Sequence, residues 1–272
     1  MTPNIDPALQ QLLANIQPAV DPAGSFLPLV GLTGQSGRID TAAGALLARR
    51  QPVMPIPFVD RQREYRVLKK LHRAGLTPSP LAYNAHWLLL PWLAGDTIDT
   101  HAFRQQREAV VSRLHQLHRQ PLTGYRLQLL PLLQRYWQLC RQRNLRWQRA
   151  LRRLTRQGEP QPLRLAPVHM DIHPGNVIVA QGELHFIDWE YAADADVALD
   201  VAVLCAADPQ RQACWIASYA RQARLAPAQL EEQVRRWQPW LRLLMASWYQ
   251  LRAEQQDDRA ALQRAAAGWQ QF

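Results

Sequence analysis

His169-Met-Asp171-Ile-His173-Pro-Gly175-Asn176, followed after a hairpin-sized gap by Asp188-Trp-Glu190, is the stretch on which the reading of the fold turns. A carboxylate, an amide five residues later and a second carboxylate beyond a hairpin form the donor set that phosphoryl transfer requires. Asp171 is the candidate to orient an attacking hydroxyl and accept its proton. Magnesium is a hard cation that takes oxygen ligands, several of them from phosphates. The Asn176 amide oxygen and the Asp188 carboxylate are the candidates to complete its shell. Residues 177–179 and 185–187 read as short strands joined at Gln181-Gly182, a hairpin that brings positions 176 and 188 side by side. Gly175 lets the loop turn tightly before Asn176. A lone His-x-Asp would mean little, since an Asp after a strand is usually a cap or a turn. Here positions 169, 171, 176, 188 and 190 all fall at compatible spacings. Within this catalytic loop His169 is expected to fix the backbone through hydrogen bonds, and His173 to serve as scaffold. Asp200 has two open readings: an acceptor for loop amides, or a carboxylate on a helix surface.

Upstream the texture is that of a small mixed unit. Leu9, Leu12, Leu13 and Ile16 recur at helical spacing over 8–17. Residues 25–30 read as a strand, and the loop with Gly31, Gly34 and Gly37 that follows could bring backbone N–H groups to phosphates. Strands are expected at 38–41 and 45–50 around Gly44, then a helix over 60–73 with Tyr65, Leu68 and Leu71 on one face, then strands near 81 and at 86–91. Arg50, ending the third strand, is where a cation for the nucleotide phosphates is expected, with Glu64 on the next helix as its ion-pair partner. Arg49 is the alternative one register position away, and no lysine stands at either position. Leu93-Ala-Gly95 reads as a hinge at 93–96. Beyond it, helices are expected at 99–119, 129–144, 146–157, 197–206, 210–222, 227–256 and 258–270. The fold class is α+β. A small, mainly β nucleotide-binding lobe (1–92) precedes a larger, mainly α lobe (97–272) that carries catalysis and substrate binding, with ligands in the cleft between them.

Composition sets the outer bounds. The chain has 272 residues and a formal net charge of +10, and Lys69 and Lys70 are the only lysines among its 32 basic residues. Such a balance suits an anionic ligand such as a nucleotide. The start of the chain shows no basic region followed by an apolar stretch, and no run approaches the roughly 18–20 apolar residues that span a bilayer. A cytoplasmic protein without a membrane partner is the expectation. Cys140, Cys205 and Cys214 form no C-x-x-C pair and read as buried thiols. Arg146, Arg149, Arg153 and Arg156 share one face of an amphipathic helix, which reads as a solvated face. No nucleic-acid partner is expected, because the motifs that would support one are absent. Trp237, Trp240 and Trp248 lie on consecutive helical segments; they either pack the core or line a pocket for a flat or cationic substrate.

The loop at 169–176 and Ile187-Asp-Trp-Glu-Tyr191 resemble the aminoglycoside phosphotransferase and choline kinase superfamily, which has a protein-kinase-like fold. More narrowly, the chain is similar to the bacterial thiamine kinases. That likeness runs through Leu129-Leu-Pro-Leu-Leu-Gln-Arg-Tyr-Trp137, Pro162-Leu-Arg-Leu-Ala-Pro-Val-His-Met-Asp171, Ile187-Asp-Trp-Glu-Tyr-Ala192 and Gln233-Val-Arg-Arg-Trp-Gln-Pro-Trp-Leu241. It covers most of the C-terminal part, and upstream chiefly the glycines at 31–37 and Arg50-Gln-Pro52. The resemblance implies ATP and Mg2+ as requirements and thiamine's primary hydroxyl as acceptor, giving thiamine monophosphate. It implies Asp171 as base, Asn176 and Asp188 as metal ligands, and Glu190 near the substrate or a second metal. A flat pyrimidine joined to a cationic thiazolium would suit aromatic faces, Trp240 among them, beside Glu190 or Asp194. Arg50 departs from the superfamily, where a lysine is usual. Two other readings stand beside this one: a kinase for choline, an aminoglycoside or another small alcohol, and a kinase-like module without catalysis. A broken loop would mark the latter, and here Asp171, Asn176 and Asp188 are all present.

Overall fold

A computed structural model describes residues 6–16, 26–29 and 36–272. Along the chain run α1 (Pro7–Ile16), β1 (Phe26–Leu29), β2 (Ser36–Thr41), β3 (Gly44–Arg50), α2 (Arg61–His72), β4 (Ala82–Tyr83), β5 (Trp87–Pro91), β6 (Asp96–Thr97), α3 (Thr100–Gln105) and α4 (Arg107–His118). There follow α5 (Leu129–Leu139), α6 (Leu145–Gln157), β7 (Leu165–Val168), β8 (Val177–Ala180), β9 (Glu183–Phe186), β10 (Ala193–Asp196), α7 (Val197–Ala207), α8 (Gln212–Ala223), α9 (Pro227–Gln256) and α10 (Arg259–Trp269). The chain forms two compact units, one of residues 1–123 and 173–192, the other of 124–172 and 193–272.

The first unit is built on an antiparallel sheet in the order β1-β2-β3-β5-β4. Successive strand residues face opposite sides. Leu46 and Ala48 of β3, with Ile39, Trp87 and Leu89 of neighbouring strands, therefore meet Leu9, Leu12 and Leu13 of α1 in one core. Arg50 shares that parity, and Arg49 faces the other way. Helix α2 packs against β4 and β5, starting at Asp60, whose side chain accepts the Arg63 amide at 2.7 Å. The hairpin β8–β9 forms with the register expected around Gln181-Gly182, and β6 joins it through Asp96 opposite Val179. The segment read as a hinge, 93–96, accordingly lies inside this unit. A Cβ added at Gly95 would lie 2.4 Å from the Val179 carbonyl oxygen, so only glycine lets the chain pass there. Gly31 and Gly34 lie outside the described residues. Gly37 is a strand residue rather than a loop residue: it sits in β2 opposite Ala48, with the Phe26 ring so close that a Cβ would lie 2.3 Å from it.

The second unit is helical around the 30-residue α9, which touches α5, α6, α7, α8 and α10. Its one sheet pairs β10 with β7. Trp147, Trp215 and Trp240 are among the largest fully buried side chains, and Trp147 stacks on Trp269 with centroids 4.7 Å apart. Among the described residues no helix is long and apolar enough to cross a membrane.

Candidate active site

Each unit carries part of the expected machinery. In the second, Asp200 settles its two open readings: it is wholly buried and accepts the amides of His169 at 2.8 Å and Met170 at 2.7 Å. Met170 has φ +70°, a left-handed conformation that costs a non-glycine residue about 1–3 kcal/mol. Two charge-assisted hydrogen bonds to one buried carboxylate hold it there. The buried His169 takes the scaffold role, its Nδ1 accepting the Asp171 amide at 3.3 Å. The loop is thus tied from α7 on one side and from its own histidine on the other, and the half-buried Asp171 follows the strained residue directly.

In the first unit, Asn176 closes a short 3-10 turn that His173 caps, its Nδ1 accepting the Gly175 amide at 3.1 Å. Burial lowers the pKa of His173 below the ordinary imidazole value, with Asp188 opposing, so the neutral ring that caps the turn is favoured. The Ile187 amide donates to the Asn176 carbonyl at 3.0 Å, which extends the hairpin by one rung and fixes Asn176 one residue from Asp188. Asp188 itself has φ +64°, and its side chain is 32% exposed. An amide oxygen and a partly exposed carboxylate held at the end of one hairpin are the donor types a magnesium ion takes. Among the described residues no group of three or more His, Cys, Asp or Glu could hold a metal by itself. The two fit an ion that draws its remaining ligands from phosphates.

Opposite Asp188 the cation is Arg49, the alternative one register position from Arg50. Arg49 reaches Glu64 at 3.0 Å, Asp188 at 2.5 Å and Glu190 at 2.9 Å. Arg50 instead pairs with Asp6 at 3.6 Å and lies over the Trp87 ring. The reason is parity: Arg50 shares the face of Leu46 and Ala48 that α1 covers. Burial works against the charged Arg49, but Asp188, Glu64 and Glu190 outweigh it, and the guanidinium is held firmly protonated. Glu64 is the expected partner, buried at 1% exposure rather than lying on the helix surface.

The three residues expected near the substrate are all buried. Glu190 is buried, and its carboxylate is engaged by Arg49 and Arg61; burial and Asp188 push its pKa up, while the two arginines pull it down. Asp194 is buried in β10, where its Oδ2 accepts the Gly124 amide at 2.6 Å. Trp240 packs against Trp237 in the helical core at 2% exposure. It is not part of the open cavity of about 540 Å³ that Leu241, Arg242, Met245, Tyr249 and Arg264 help to line. The reading from sequence also missed Arg61 and Arg63. Arg63 donates to the Ala192 carbonyl at 2.7 Å and to that of Glu190, and burial brings its pKa down to about 10. A signal was there: two arginines in the first turn of a helix oppose its macrodipole and need another reason to be there.

With this geometry in view, likenesses to known proteins define the class and then the family. The choline kinase LicA from Streptococcus pneumoniae, solved with AMP, matches with a TM-score of 0.78 over 96% of each chain at 18% identity. A ternary complex of aminoglycoside phosphotransferase APH(4)-Ia with AMP-PNP and hygromycin B matches with a TM-score of 0.64 at 15% identity, over 95% of this chain and 96% of that one. The fold is therefore the choline kinase-like one, a small β-sheet N-terminal region followed by a larger helical part. Residues 34–240 match the model of the phosphotransferase enzyme family. The thiamine kinase of Escherichia coli O157:H7 is 36% identical over 264 residues, 96% of this chain and 94% of its own. The chain belongs to the phosphotransferase enzyme family, and it is an enzyme.

Proposed function

We propose that the enzyme transfers the γ-phosphoryl of ATP to the primary hydroxyl of thiamine, yielding thiamine monophosphate. The observation that carries this reading is the 36% identity to the thiamine kinase of Escherichia coli O157:H7 over 96% of the chain. Support for ATP comes from the nucleotide ligands named in the two solved relatives.

The roles follow from the chemistry of each side chain. Asp171 orients the acceptor hydroxyl and takes its proton, and the bonds from Asp200 and His169 fix the loop on which it stands. Asn176 and Asp188 would hold Mg2+, which when bound neutralises charge on the phosphates. Arg49 is the cation for the nucleotide phosphates, its planar fork matched to their oxygens. Glu64 and Glu190 aim that fork.

A coupled assay for ADP release decides the acceptor. Saturable turnover is expected with thiamine, with little on choline or kanamycin. Turnover of choline or an aminoglycoside with none on thiamine would replace the acceptor while leaving the reaction type in place.

A further inference from the structure

Arg61 is the first residue of α2, a position where a side chain usually meets water, yet it is 1% exposed. Its amide donates to the Gln51 side chain at 3.0 Å and its Nε to the Arg50 carbonyl at 3.1 Å, so backbone, side chain and strand β3 are locked together. Its Nη1 then reaches Glu64 at 2.5 Å and Glu190 at 3.0 Å. These are the two glutamates that Arg49 also holds, whereas Asp188 is gripped by Arg49 and not by Arg61. The cluster therefore has two cations on two buried glutamates, with one of the cations also extended to a third, partly exposed acid.

That asymmetry separates the two arginines. If Arg49 is to meet nucleotide phosphates, it must loosen its grip on Asp188 and on at least part of the glutamate pair. Two buried carboxylates left without compensation would oppose the move, because a buried charge is tolerated only when paired and hydrogen-bonded. Arg61 remains on both, and its ties to Gln51 and Arg50 keep it from following. The network also has slack for the exchange. Arg61 Nη2, a donor, and Glu190 Oε1, an acceptor, are buried without a hydrogen-bond partner among the described residues, so Arg61 has a donor, and Glu190 an acceptor, left to replace a bond that Arg49 gives up.

We propose that Arg61 is a positioning residue for nucleotide binding, the fixed half of an arginine pair that keeps Glu64 and Glu190 neutralised while Arg49 exchanges Asp188 for phosphate. The inference rests on the reading of Arg49 given under the proposed function.

Calorimetric titration of the full-length protein with AMP-PNP and magnesium, alongside steady-state kinetics, tests it. Arg61→Met is expected to raise the AMP-PNP Kd and the KM for ATP together by roughly tenfold or more, with kcat at saturating ATP within about threefold. Arg61→Lys keeps the charge but loses the fork, and its Kd should fall between the two, about threefold above the native value. A merely structural arginine would lower Tm in Arg61→Met and leave the Kd of the folded fraction unchanged, which overturns the proposal. A collapse of kcat at unchanged Kd overturns it as well. Should Arg61→Met not fold, Arg61→Lys decides by the same criterion, an unchanged Kd counting against. Arg49→Met separates the two levels. If it too binds AMP-PNP normally, the reading of Arg49 is what fails; if it binds weakly while the Arg61 variants bind normally, only the role of Arg61 falls.

Discussion

Asp171 and Arg49 are the two side chains on which the proposed chemistry depends most, and they differ in how far sequence could reach them. The candidacy of Asp171 rests on a contiguous loop motif, and the hairpin β8–β9 brings Asn176 next to Asp188. Removing it by Asp171→Ala should lower kcat by a factor of about 10²–10⁴, the usual weight of general-base catalysis, while AMP-PNP still binds. Native turnover in that variant would exclude it as the base. Arg49 was harder, because adjacent arginines on a strand differ only in parity, and parity follows from knowing that α1 covers the face of Leu46 and Ala48. Kinetics on the pair would separate the two arginines. Arg49→Met should raise the KM for ATP by roughly tenfold, whereas Arg50→Met, which loses a partly exposed ion pair and its place over the Trp87 ring, should stay within about twofold.

Between residues and units stand the elements that hold the site in place. The hairpin β8–β9 and the long α9 follow directly from turn residues and helical periodicity, and both form as expected. Strands β7 and β10 were not foreseen, and their composition explains why. Leu-Ala-Pro-Val and Ala-Asp-Ala-Asp carry little intrinsic strand preference; they are strands because they pair with each other. The carboxylates on β10 are spent on backbone and side-chain donors: Asp194 on the Gly124 amide, and Asp196 on Gln233 and Trp237. Gly95 is required by its close approach to the Val179 carbonyl oxygen. Helix α7 performs the positioning that matters most here, through Asp200. The variant Asp200→Ala orphans the buried amide of His169 and the part-buried amide of the left-handed Met170, and a loss of about 2–5 kcal/mol of stability is expected, with a fall in kcat larger than any change in KM. Thermal melts together with kinetics would show it; a variant with native Tm and kcat would mean the loop holds its shape without α7.

Burial of two thiols sets a response of stability to alkaline pH. The thiols of Cys140 and Cys205 are pushed up to about 12 by burial, whereas unfolded thiols ionise near about 8.5. The folded state thus retains protons that the unfolded state releases. Their contribution is intact below about pH 8.5 and is lost as pH rises toward 12. Between pH 8 and 10.5 the native Tm should fall more steeply than that of Cys205→Ala, and equal slopes would contradict the assignment. The basic balance of the chain is consistent with a nucleotide ligand, though only the loop, the hairpin and Arg49 give that charge a chemical address. Phosphoryl transfer to thiamine is tested by mass spectrometry of the product made from thiamine, ATP and magnesium. Thiamine monophosphate formed in step with ADP, and absent with Asp171→Ala, is the predicted result. ADP formed without any phosphorylated thiamine, or thiamine monophosphate formed equally by the Asp171→Ala protein, would contradict it.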